Sequence, residues 1–154
     1  MIWKIPPKIK IYEALGCIGD NRIKVDGNTA KIFSSSKGKF YSIEYDGKDA
    51  IICNDNGSYY IGYLGYPAIA FLMFKGMINY ESKYAEALKG IAWKEINVMF
   101  KNDFIKTETY VLDVLVERGF SREETINEVN KIFEQVNSLK LKLLGEKTKP
   151  PEGY

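Results

Sequence analysis

The side chains able to do chemistry in this chain are few in kind. No histidine occurs among the 154 residues, which removes the commonest neutral-pH general base and the commonest metal ligand. Two cysteines, Cys17 and Cys53, remain. They form no Cys-x-x-Cys pair, and two thiols alone do not complete a four-ligand zinc site. A reactive thiol would also need a cationic neighbour in place of the missing histidine. Trp93-Lys94-Glu95 and Lys101-Asn102-Asp103 mix aromatic, basic and acidic groups. Lys94, Asp103 and Cys53 are therefore the candidates for an enzymatic role, but nothing in the spacing sets a nucleophile beside a base. No phosphate-binding loop, nucleophile elbow or dinucleotide fingerprint is present. The sequence implies no cofactor and no metal, and it leans away from an enzyme.

The other candidate chemistry is contact. Residues 57–66 hold Tyr59, Tyr60, Tyr63 and Tyr66 among Gly57, Gly62 and Gly65. Tyrosine offers a rigid apolar ring and one hydroxyl, a combination enriched at interfaces. Glycine lets a backbone approach a partner or turn tightly. Exposed Tyr59, Tyr60 and Tyr63 beside Lys37, Lys39 and Lys48 would make a surface able to stack bases. Net charge is only +2, from 22 basic and 20 acidic residues, so such a nucleic-acid site would be weak. Asn54-Asp55-Asn56-Gly57 has the look of a calcium loop, but position 12 of that loop would be Gly65, not glutamate, and the segment reads as a turn.

The elements that must position these groups follow from the pattern. At 154 residues, with 45% hydrophobic and 27% charged side chains, the chain suits one globular domain with a sizeable core. The spacing predicts a short helix over residues 8–18, opened by Pro6-Pro7. A β-meander follows, over residues 22–25, 29–33, 39–45 and 50–53, with a possible fifth strand at 59–63. Asp26-Gly27-Asn28, Ser34 to Gly38 and Asp46-Gly47 supply its turns. Pro67 opens a helix that is apolar all round and so should be buried against the sheet. Ser82 is read as a helix cap, and Asn102-Asp103 as a joint in the helical region that ends at Gly119. Ser121-Arg122-Glu123-Glu124 is a capping box for a last helix running to about Leu144. Its seam, Val129, Ile132, Val136, Leu139 and Leu143, suits a helical hairpin or a second copy. Residues 146–154 read as a flexible tail after a single 1–145 domain. The opening MIWKIPPKIK lacks a leader's apolar core, and the longest apolar run, 67–74, is too short to span a bilayer. A cytoplasmic setting without membrane contact is expected.

Phe40-Tyr41-Ser42-Ile43-Glu44-Tyr45, Ile51-Ile52-Cys53-Asn54-Asp55 and Gly65-Tyr66-Pro67-Ala68-Ile69-Ala70-Phe71-Leu72 together resemble a degenerate SWIM zinc finger. That family ties a β-hairpin to an apolar helix through zinc, and its members bind nucleic acid or protein. The ligand positions fall here on Ile51, Cys53, Tyr66 and Ala68. One cysteine cannot hold zinc, so the resemblance implies a hairpin and helix joined by core packing.

The expected architecture is α+β: a short N-terminal helix, a four- to five-stranded antiparallel meander, then a helical half with a long helical hairpin. The expected function is a non-enzymatic protein-binding or assembly module that self-associates or takes a protein partner. The alternatives are weak nucleic-acid binding through the Tyr/Gly surface and an enzyme of unknown class.

Overall fold

The computed structural model describes residues 1–152. Helix α1 (Ile9–Gly19) is followed by strands β1 (Ile23–Asp26), β2 (Thr29–Phe33), β3 (Phe40–Tyr45) and β4 (Ala50–Cys53). A single π-helical turn, Gly57–Ile61, leads to α2 (Tyr66–Phe74), α3 (Ser82–Ala87), α4 (Trp93–Met99), α5 (Phe104–Glu117) and α6 (Arg122–Leu139). A two-residue strand, β5 (Lys142–Leu143), closes the order. This is an α+β fold, as the sequence pattern predicts.

β1 to β4 form an antiparallel meander with Val25 opposite Ala30, Ile32 opposite Tyr41 and Ile43 opposite Cys53. Alternation along β3 buries Tyr41 and Ile43 and leaves Ser42 and Glu44 exposed, the period of two that a one-sided sheet requires. α2 lies on the covered face with Ile69, Ala70, Phe71 and Leu72 fully buried, and it packs on α1, β1, β3 and β4. Pro67 sits in its first turn, where a missing N–H costs nothing. Of the four positions that align with zinc ligands in the resemblance, Ile51, Cys53 and Ala68 are buried and Tyr66 is half-buried.

Several expectations are corrected. Residues 59–63 make no strand. The Asp55 carboxylate accepts from Ser58 N and Ser58 Oγ, which curls the chain into the π-helical turn that Gly62 ends at φ 94°. The fifth strand is β5, parallel to β4. α6 stops at Leu139 because Lys140 turns left-handed at φ 47°. Lys142 N then donates to Asp49 O, and Leu144 N to Ile51 O. The edge carbonyls of β4 thus take donors that a longer helix would have kept. Residue 81, not Ser82, holds the cap position of α3, and its N–H is taken at 2.7 Å by Glu128 Oε2 of α6.

The helical half closes over the outer side of α1. Tyr12 Oη donates to Glu108 Oε2 at 2.8 Å, fixing α1 to α5. Asp103 and Ser121 cap α5 and α6 through Lys106 N and Glu124 N. Val129, Ile132 and Val136 are buried, so the α6 seam is consumed inside the chain against α1 and α5. Cys17 and Cys53 are both buried free thiols. No described helix is long and apolar enough to cross a membrane. Residues 146–152 carry no helix or strand, and the last two residues of the expected tail lie outside the described residues.

Candidate functional site

Connections in a meander alternate between the two ends of the sheet. The 34–39 turn and the 54–57 segment therefore share one end, joined by Ser42 N donating to Asn54 Oδ1 at 2.8 Å. The 26–28 and 46–48 turns share the other, where Tyr45 N donates to Asn28 O at 2.9 Å. At the first end the serine turn, the π-helical turn, α1 and α4 surround a cleft of about 640 Å³. That size takes an organic molecule of moderate size.

Two glycines shape the floor. A Cβ on Gly65 would lie 2.1 Å from Asp55 Oδ2, and one on Gly57 would lie 2.2 Å from the Tyr63 ring. Only glycine at these positions lets the Asp55 carboxyl and the Tyr63 ring pack where they do. Lys10 and Glu13 reach the cleft from one face of α1 and pair at 2.8 Å. Burial opposes the charge on Lys10, yet Glu13, Tyr63 and Asp55 outweigh it and hold the ammonium above its ordinary range. Burial likewise dominates at Asp55. It raises this carboxyl above its usual value against the opposing Ser58 and Cys53 hydrogen bonds and the Lys10 charge.

The distribution of unpaired polar atoms singles the cleft out. Among the described residues, the buried side-chain atoms without a hydrogen-bond partner are Glu13 Oε2, Arg22 Nη2, Trp93 Nε1 and Asn97 Oδ1. All four residues contribute to the lining of this one cleft, although Trp93 Nε1 itself lies against Gly16 of α1. Glu13 Oε2 is the atom in ion contact with Lys10, so three atoms stay unpaired. Arg22 is 3% exposed. Its Nε meets Asp20 at 3.1 Å, its Nη1 donates to Phe33 O at 2.7 Å, and the Tyr66 hydroxyl lies close enough to help hold the guanidinium charged, but Nη2 makes no well-formed hydrogen bond. Trp93 is 4% exposed. The amide of Asn97 donates through Nδ2 to Glu13 Oε1 at 2.8 Å. A carboxylate must face an N–H donor, so the unpaired atom is the Asn97 acceptor. Each unpaired buried group carries a desolvation cost of roughly 1–3 kcal/mol.

Of the residues that the sequence puts forward, Lys39, Tyr60, Tyr63 and Lys94 line the cleft. Tyr60 is exposed at its rim with Tyr59 edge-on against it at 4.9 Å. Tyr63 is buried. Lys37 is exposed at φ 60° in the serine turn. Lys48 lies at the far end of the sheet. Asp103 is spent capping α5. Cys53 is sealed, its thiol raised well above its ordinary value by burial and Asp55. Arg22, Trp93, Asn97 and Glu13 carry no local motif. Of these, only Trp93 stands out in the sequence, as part of the mixed Trp93-Lys94-Glu95 cluster, and with no role of its own.

The chain matches, over residues 3–142, the model of the family described as Uncharacterised conserved protein UCP014422, and it belongs to that family. No curated protein and no solved structure matches it. The match reaches from the N-terminal segment to the start of β5 and takes in every residue of the cleft.

Proposed function

We propose that this protein is a binding module for a small polar organic molecule seated in the cleft between α1, the serine turn, the π-helical turn and α4. One observation carries the reading. The unpaired buried polar atoms at Arg22, Trp93 and Asn97 concentrate on the lining of a single cleft, where a fold selected for stability alone would have paired them. This keeps the binding role expected from the sequence and puts a small molecule in the partner's place. The test is a screen of polar metabolites by thermal denaturation, with hits mapped by NMR. A binder should raise the melting temperature and move the signals of Trp93, Asn97 and Tyr63. Hits that map away from these residues would overturn the proposal.

A second reading, docking of a protein or another copy of this chain, is supported by exposed apolar side chains on and near the rim. Val98 is 68% exposed, and Met99, Ile105 and Ile61 are also open. Exclusion of apolar rim surface would then seal the cleft. Light scattering tests self-association: a strict monomer at high concentration removes the homomeric form of this reading.

A further inference from the structure

We propose that the molecule bound in the cleft carries an oxyanion, a carboxylate or a phosphoryl group, attached to a ring, and that the oxyanion is taken on the side of Arg22, Trp93 and Lys39. This rests on the reading of the cleft as a small-molecule site. Three independent features point the same way.

The first is the sign of the unpaired atoms. Arg22 Nη2 and Trp93 Nε1 can only donate, and Asn97 Oδ1 can only accept. Two donors and one acceptor fit an acceptor-rich group with a hydroxyl or N–H nearby. Both donors are sealed from bulk water, so their desolvation has already been met in the free protein. A charged acceptor reaching them gains the stronger, charge-assisted kind of hydrogen bond. Trp93 Nε1 lies against Gly16 of α1, where a Cβ would come within 2.8 Å of it, so an oxyanion reaches it only if the indole turns, which makes the Trp93 indole a reporter of occupancy.

The second is charge. Lys10, Arg22, Lys39 and Lys94 line the cleft against Glu13 and Asp55. Glu13 is matched by Lys10 and Arg22 by Asp20 behind the wall, and burial raises the Asp55 carboxyl. With Asp20 included and every carboxyl counted as ionised, four cations still face three carboxylates, a bias that favours anions. Ser34, Ser35 and Ser36 add hydroxyls on the same wall as Lys39, with Ser35 Oγ accepting from Lys94 N at 3.3 Å.

The third is the apolar remainder. Tyr41, Tyr60, Tyr63, Tyr66, Trp93 and Phe104 supply rings to the lining. A bare inorganic anion would leave most of a 640 Å³ cleft unfilled, whereas a ring stacks on such walls.

The protein contains its own control. It has two tryptophans, and Trp3 Nε1 is occupied by Ile51 O at 2.9 Å. In ¹⁵N-labelled protein the two indole signals are followed during titration with phenyl phosphate, benzoate, phenol, benzamide and inorganic phosphate. Phenyl phosphate or benzoate should move the Trp93 signal saturably and leave Trp3 still, at least about tenfold more tightly than phenol or benzamide. Comparing phenyl phosphate with benzoate separates the phosphoryl and carboxylate forms. Lys39→Met, at a partly exposed site, should weaken the preferred anion by roughly fivefold. Neutral probes binding as well as the anions, or Lys39→Met leaving anion affinity unchanged, would overturn the oxyanion and keep the ligand site. Inorganic phosphate matching phenyl phosphate would overturn the ring. If no probe moves Trp93, or both indoles move together, the oxyanion inference fails outright. The cleft reading then stands or falls on the metabolite screen.

Discussion

Trp3 and Trp93 are buried to nearly the same degree, at 7% and 4% exposure, but they sit in regions built on different terms. Trp3 lies where the N-terminal segment threads beside β5. Its N–H donates to Leu141 O, its indole donates to Ile51 O, and Lys4 N donates to Gly62 O. α2, apart from the Tyr66 hydroxyl at its first residue, carries no polar side chain to satisfy. Trp93 lies against the cleft, its backbone N–H bonded to Ile91 O and its indole bonded to nothing. In the first region these polar groups are paired as they stand. The second holds desolvated groups that a partner could complete, and this is the physical signature of a site as opposed to a core.

The largest test of that division is Phe71→Ala. This ring is fully buried in α2, and its loss should cost about 3–5 kcal/mol by urea denaturation. Phe104→Ala, at the half-buried cleft wall, should cost roughly half of that or less because less area returns to water. Equal losses would erase the contrast between the two regions.

The tryptophans sharpen it. Trp3→Phe and Trp93→Phe remove similar ring volume, but only the first removes a made hydrogen bond. Trp3→Phe should therefore be the more destabilising by about 1 kcal/mol. The reverse order would mean that the Trp93 N–H has a partner in solution.

The smallest effect is on the pH dependence. Folding raises the Asp55 carboxyl above its ordinary 3.8. Its protonated form thus contributes stability that is complete below 3.8 and lost as pH rises through the raised value. Asp55→Asn should flatten the stability curve in the window that begins near 3.8 and extends upward, because an amide does not ionise. Parallel curves for the two proteins would show that Asp55 titrates as it does in the unfolded chain.

Much of the frame was legible because its causes are local. The span 29–33 and the 50–53 strand could be read to the residue, since alternation and flanking turn residues act within a few positions. The cap at Ser121 was legible for the same reason, and Asn102-Asp103 was legible as a joint, though not as the cap that Asp103 supplies. Local reading failed at Tyr59 to Tyr63. There a side chain two residues beyond β4, Asp55, redirected the backbone. It failed again at residues 140–143, where alternation and helical spacing cannot be told apart over so short a run.

What the sequence by itself determined is the inventory and the local geometry: no histidine, a meander, an apolar α2 opened by proline, and a last helix capped at Ser121. The tertiary structure alone decided that Lys10, Arg22, Asp55, Trp93 and Asn97 share one cleft. Those residues are brought together by chain closure over long separations, such as Asn97 to Glu13, 84 positions apart. No periodicity encodes such a meeting. Whether a polar atom is paired is likewise a property of the folded neighbourhood, not of the residue, because the same indole N–H is satisfied at Trp3 and left open at Trp93.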